Sequence, residues 1–174
     1  DGGTILFAPN LEWRNVPLGR LVEERFRLTC VIDNEANAGA AGELRYGAGR
    51  GVSDQIYVSV GIGIGTGIII NRELYRGKSG FSGELGHMSI EANGRRCSCG
   101  NLGCWELYAS EKSLLEHGEP YASFEAAAAA AGRGDQQAAR LLETIGGYLG
   151  IGIANIVNVF NPEAVILGNR ICIA

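Results

Sequence analysis

The stretch HMSIEANGRRCSCGNLGC, residues 87–104, constrains this chain more than any other part of it. Three cysteines, Cys97, Cys99 and Cys104, stand in a C-x-C-x4-C run, and His87 lies ten positions upstream. Together they supply four nitrogen and sulfur donors, the number a closed tetrahedral zinc site requires. Gly100 and Gly103 let the backbone turn tightly enough for closely spaced thiolates to converge, because glycine accepts positive φ without a Cβ clash. Buried free cysteines are common in cores, but they seldom cluster in a polar, arginine-bearing loop such as 93–96. The pattern predicts a structural zinc on His87, Cys97, Cys99 and Cys104. Cys30 and Cys172 sit in apolar runs and read as core.

The 174 residues suffice for one full core or for a large piece of a bigger one. A net charge of −4 with scattered arginines leaves no basic stripe to neutralise phosphates along nucleic acid, so this segment alone is not expected to bind DNA. No apolar run reads as both long enough and free enough of charge to span a bilayer, and no charged-then-apolar leader opens the chain. Thiols read as zinc ligands, with two further unpaired cysteines, fit a reducing compartment, and the expected location is cytoplasmic. Residues 1–4 read as a turn, and residues 168–174 follow directly on a strand pattern, so further elements are expected on both sides.

Residues 4–8 are β-rich, 9–17 read as a loop, and Leu18, Leu21, Val22 and Phe26 recur at helical spacing. Residues 28–32 read as a buried strand and 34–46 as a helix. That places the polar run 33–37 at the carboxyl end of a strand, where open α/β sheets bind ligands. After a loop at 47–51, residues 55–61 and 66–71 read as two strands joined by the turn GIGIGTG at 61–67. Alternating glycines there let an anionic or polyhydroxyl ligand approach the backbone amides, with Gly65 and Thr66 as candidate contacts. A tight hairpin whose glycines only permit the turn explains the same residues equally well.

A helix is predicted from Cys104 through Ser110 to Leu115, a second over the alanine-rich 124–131, and the longest over 135–159. Gly146, Gly147, Gly150 and Gly152 interrupt the last, each at a cost of about 1 kcal/mol relative to alanine. Close packing of another element is the simplest compensation, and a glycine-lined helix also points to a homodimer. Pro162 ends that helix and 164–167 reads as a buried strand. No internal repeat and no dividing linker is visible.

Four segments taken together resemble the ROK family, whose name abbreviates repressor, open reading frame and kinase. They are Asp33-Asn34-Glu35-Ala36-Asn37, the 61–67 turn, Gly83-Glu84-Leu85-Gly86-His87, and CSCGNLGCWE at 97–106, followed by NPEAVILG at 161–168. The resemblance implies an α/β chain of the actin-like ATPase, ribonuclease H-like fold, mainly its C-terminal half, with a zinc-stapled loop. It implies one partial sugar-binding domain over 1–174, the N-terminal part of the family fold being absent. It places Asn34, Glu84, His87 and Glu106 around a sugar, with His87 also on zinc. Sugar hydroxyls donate and accept in neighbouring pairs, so carboxylates and amides suit them. Taken singly, Glu84 and Glu106 read as ordinary surface charges, but one precedes a metal ligand by three residues and the other follows one by two.

One departure bears on function. The kinases of the family read N-D-A-N at the strand-to-helix junction, the aspartate being the general base, whereas this chain reads Asn34-Glu35-Ala36-Asn37. Glu35 keeps the charge but carries it outward by roughly one bond length, ~1.5 Å, and a misplacement of about 1 Å can cost about a hundredfold in rate. The run DNEANAGA resembles the xylose-repressor branch, in which a winged-helix segment precedes a sugar-sensing domain. Asn169 stands where many members carry a second glycine near the nucleotide. Asp1-Gly2-Gly3-Thr4 lacks the spacer of the family's D-x-G-G-T phosphate loop.

The leading expectation is therefore the effector domain of a ROK repressor, binding a monosaccharide and meeting DNA only through a segment outside this chain. The alternative is an ATP-dependent sugar kinase of glucokinase type using ATP and magnesium, with Glu35 as base. A protein-interaction domain with a zinc-stapled loop is the third.

Overall fold

The computed structural model describes residues 3–8, 11–116 and 120–173. The chain divides into two compact units, residues 1–35 and 36–174.

In the first unit, β1 (Ile5–Ala8) pairs antiparallel with β2 (Trp13–Val16), in the register Ile5 to Val16 and Phe7 to Arg14. The Arg14 guanidinium lies 4.3 Å from the centre of the Phe7 ring. Helix α1 (Leu18–Phe26) follows Pro17, whose fixed φ suits a helix start, and ends where Arg27 turns left-handed at φ 56°. Two expectations change here. The region read as a loop at 9–17 contains β2, while Pro9 and Asn10 lie outside the described residues, as do Asp1 and Gly2 of the turn read at 1–4. Residues 28–32 form no strand, and Leu28 and Val31 are 68% and 84% exposed. An apolar run becomes a strand only where another strand offers hydrogen bonds, and none does so among the described residues. Cys30 is half-buried rather than core.

The second unit is built on a four-stranded sheet in the order β5-β4-β3-β6. Helix α2 (Glu35–Tyr46) opens at the unit boundary and leads to β3 (Gln55–Val60). β3 pairs antiparallel with β4 (Ile64–Ile70), which pairs with the short β5 (Glu73–Leu74). Ala36 and Ala40 of α2 press on β4: a Cβ on Gly67 would lie 2.5 Å from the Ala36 carbonyl oxygen and from the Ala40 Cβ. The glycines of β4 thus admit the helix against the sheet. β3 is the central strand, with Ile56, Val58 and Val60 buried, and pairs in parallel with the last strand.

After the cysteine loop come α3 (Glu106–Ala109) and α4 (Glu111–Glu116), separated at Ser110, which turns extended and breaks the single helix expected there. Next come α5 (Phe124–Gly132), α6 (Gln136–Phe160) and β6 (Ala164–Gly168). Asp135 caps α6 by accepting from the amides of Gln137 and Ala138, and Asn161, left-handed at φ 44°, ends it before Pro162. Ala138, Ile145, Leu149 and Ile156 of α6 join Trp105, Leu114, Phe124 and the β3 side chains in the main core.

Trp105 explains one of the four glycines of α6. A Cβ on Gly152 would stand 2.0 Å from the indole, whose Nε1 donates to the Tyr148 carbonyl at 2.9 Å. Gly146, Gly147 and Gly150 face open space instead, so close packing accounts for Gly152 alone. By length and composition the 25-residue α6 is long and apolar enough to cross a membrane, contrary to the reading of the sequence, yet one face of it lines this core. Cys172, read as core, is exposed in a 3-10 turn after β6.

Candidate metal and sugar site

The four predicted ligands converge. His87, Cys97, Cys99 and Cys104 present donor atoms that all lie within 4.8 Å of one another, with His87 Nδ1 3.6 Å from Cys97 Sγ and Cys99 Sγ 3.7 Å from Cys104 Sγ. A tetrahedral zinc at ~2.3 Å from sulfur and ~2.0 Å from nitrogen would set its donors roughly 3.5–3.8 Å apart, so the spacing and the donor set fit that ion.

The loop holds this geometry through local hydrogen bonds. Residues 88–90 run beside 103–105, with the Trp105 amide donating to the Met88 carbonyl and the Ile90 amide to the Gly103 carbonyl, both at 2.9 Å. Gly103, at φ 69°, lies so close to Glu91 that a Cβ would fall 1.8 Å from its carbonyl oxygen, so only glycine fits. Asn101, which the sequence reading passed over, ties the two halves of the site together. Its Nδ2 donates to the His87 carbonyl at 3.1 Å and to Ser89 Oγ at 3.0 Å, and its carbonyl accepts from the Cys97 amide. A polar residue in a glycine-flanked metal turn is the signal that could have found it. Tyr108 closes the outer side, its hydroxyl accepting from the Arg95 amide at 2.7 Å while the Arg95 guanidinium rides over its ring.

The thiols differ electrostatically. Burial, then hydrogen bonds and repulsion from the neighbouring thiols, push Cys104 up to about 12, whereas a backbone hydrogen bond from Asn101 lowers Cys99 below the usual thiol range. A cation would be the natural counterweight to several sulfurs held this close.

The carboxylate of Glu106 abuts the cluster. Its Oε1 stands 3.7 Å from His87 Nδ1 and accepts from Cys97 Sγ at 3.5 Å. On its other side, a Cβ on Gly63 would fall 2.9 Å from Oε2, so the carboxylate reaches the 61–67 turn. Glu84 is exposed and heads the 3-10 turn Leu85–His87, its carbonyl accepting from the His87 amide. That segment packs on β4: Thr66 Oγ1 donates to the Gly83 carbonyl, and a Cβ on Gly86 would collide with the Ile64 carbonyl. The glycine turn, the 83–87 segment and the cysteine loop are thereby brought together, with Glu84, His87, Glu106, Gly65 and Thr66 distributed among them. Thr66 is buried and its hydroxyl proton is engaged by Gly83; Gly65 lies 3.1 Å, at the position of an added Cβ, from Ala36. Asn34 and Glu35 belong to the first unit, where both are exposed.

Comparison with known proteins finds relatives over nearly the whole of this chain. The ROK family profile matches residues 1–174. The xylose repressor of Bacillus spizizenii is 51% identical over 170 residues, which cover 96% of this chain and 44% of the repressor. The crystal structure of a ROK family glucokinase from Streptomyces griseus, in complex with glucose and AMPPNP, superposes with a TM-score of 0.84 at 37% identity, covering 97% of this chain and 61% of the kinase. A ROK family transcriptional regulator, a homologue of the E. coli MLC protein, superposes at 0.80 and 34% identity, covering 97% and 46%. The chain spans less than half the length of the repressor it matches.

Proposed function

Since the chain belongs to the ROK family, whose repressors and sugar kinases share the actin-like fold, we propose that it is the sugar-sensing effector part of a transcriptional repressor, binding a monosaccharide beside a structural zinc. The observation that carries this reading is the position of Glu106, whose carboxylate lies between His87 and the Gly63 turn. The higher identity to a xylose repressor than to the glucokinase, and glutamate rather than aspartate at position 35, favour repressor over kinase.

His87, Cys97, Cys99 and Cys104 would hold the zinc, which when bound clamps the loop and supplies no reacting group. Nδ1 of the partly exposed His87 is turned toward the sulfurs, and a zinc bound there would leave the Nε2 proton to donate to a sugar hydroxyl. Glu106 and Glu84 accept from neighbouring hydroxyls, with the Gly65 and Thr66 backbone as further contacts. Because Asn101 and the paired segments 88–90 and 103–105 fix His87 against the segment leading to Glu106, donor and acceptor are already positioned when the sugar arrives. Sugar binding then shifts a conformational equilibrium of the intact protein, which needs differential affinity between two states and no proton transfer. DNA is met through a segment outside this chain, and the intact protein is a cytoplasmic homodimer.

Calorimetry on the intact protein with a panel of pentoses and hexoses, xylose first, tests the reading. Saturable binding lost in both Glu84→Ala and Glu106→Ala is the expected result; unchanged binding in both variants would place the pocket elsewhere. The similarity to the glucokinase favours one second reading, an ATP-dependent sugar kinase with Glu35 as base. Robust sugar-dependent ATP turnover by the intact protein would establish it.

A further inference from the structure

Three arginines from three separate segments surround one concavity on the second unit. Arg45 lies in the last turn of α2, Arg50 in the loop after it, and Arg72 in the turn between β4 and β5. With Leu44, Tyr46 and Gly51 they line a cavity of about 620 Å³. That volume is in the range of small-molecule sites, roughly 300–1,000 Å³.

Guanidinium groups gathered this way are ordinarily balanced by carboxylates, and here they are not. Among the described residues none of the three guanidinia has a hydrogen-bond or ion-pair partner. Three carboxylates near these segments are engaged by backbone amides, Glu43 accepting from Ala48, Asp54 from Asn71, and Glu163 from Ser53 and Asp54, and the exposed Glu73 beside Arg72 in sequence makes no ion pair with it. Arg45 has an ordinary explanation, since a cation suits a helix C-terminus, but Arg50 and Arg72 have none. The segments that carry them are held in place. Asn71 and Arg72 both adopt positive φ, pinned by the Asp54 carboxylate and by the Arg72 amide donating to the Ser53 carbonyl, and the loop at 47–51 is closed by Glu43. Beside Arg50, the Gln55 amide is fully buried with neither Oε1 nor Nε2 hydrogen-bonded, directly behind Gly49.

We infer that Arg45, Arg50 and Arg72 form a second ligand site, which takes a small molecule bearing a phosphate group. Tetrahedral oxyanions match guanidinium forks in geometry as well as charge, and converging arginines become favourable neighbours once an anion stands between them. A concave site on a chain of net charge −4 suits a small phosphate ester better than a nucleic acid backbone, which is met by a continuous basic stripe. The site lies at the far end of the β3–β4 hairpin from the 61–67 turn, and it stands independently of the sugar reading.

The test is calorimetry and thermal unfolding of the intact protein with inorganic phosphate and with a simple alkyl phosphate, at ionic strength matched with chloride. Saturable binding by wild type that weakens at least tenfold in Arg50→Ala and in Arg72→Ala is the expected result. Both variants should melt in chloride at or above the wild-type temperature, because they remove an unbalanced charge. A wild-type response no greater than that to chloride would overturn the inference, as would an equal response in the Arg50→Ala/Arg72→Ala double variant. Stronger competition by non-specific duplex DNA than by phosphate would also overturn it and mark a nucleic-acid surface.

Discussion

Glu106 Oε1 lies 3.7 Å from Nδ1 of His87, so a carboxylate and the imidazole that faces the cysteine cluster share one edge of the site. The two come from segments 19 positions apart in sequence, joined by the loop that the cysteines close. Glu106→Gln keeps the shape and removes the charge. Sugar affinity of the intact protein is expected to fall at least tenfold, about 1.4 kcal/mol, with metal content unchanged. Calorimetry and metal analysis on the same sample check both, and a parallel loss of metal would assign Glu106 a structural role instead.

Metal analysis of purified protein should find about one zinc per chain. Cys97→Ser and Cys104→Ser each remove a buried ligand and should abolish stoichiometric loading and lower the melting temperature. Full loading in both variants would disprove the four-ligand assignment.

Trp105 and Gly152 interlock, so changes on either side should be felt in unfolding experiments. Trp105→Ala leaves a cavity and should cost about 3–5 kcal/mol. Gly152→Ala forces a methyl into the indole and should cost about 1–3 kcal/mol. Denaturant titration measures both, and a neutral Gly152→Ala would show that α6 can move away from the tryptophan.

Asp135 is held below the usual carboxylate range, first by the Tyr121 hydroxyl and then by the Ala138 amide. A depressed folded-state pKa contributes stability above the unfolded value, about 3.9, and that contribution is lost as pH falls through the folded value. Tyr121→Phe should therefore lower the melting temperature near neutrality by more than it does in acid below pH ~4. A difference that stays constant across that window would assign the effect to packing alone.

Sugar phosphorylation by the intact protein should be absent, or about a hundredfold slower than in a Glu35→Asp variant, since the two carboxylates differ by one methylene. Coupled ATP-turnover assays make the comparison. Equal rates would show that the longer side chain reaches the hydroxyl.

Local chemistry and local period were legible in the sequence. The bounds of α1 follow from the spacing of Leu18, Leu21, Val22 and Phe26, and the metal cluster from four donors within eighteen residues, because both depend on groups close together along the chain. The Asp135 cap and the left-handed Asn161 of α6 are equally local. Tertiary structure decided what depended on distant partners. Residues 28–32 looked like a strand but find no pairing partner among the described residues, and Cys172 looked buried but faces solvent. Gly152 and Gly150 are indistinguishable in sequence, yet only the first meets Trp105, 47 positions away. The three arginines of the basic cavity are likewise scattered over 28 positions, and only the β3–β4 hairpin brings them together. Burial and convergence are set by which surfaces the fold presses together, and a linear pattern carries no record of that contact.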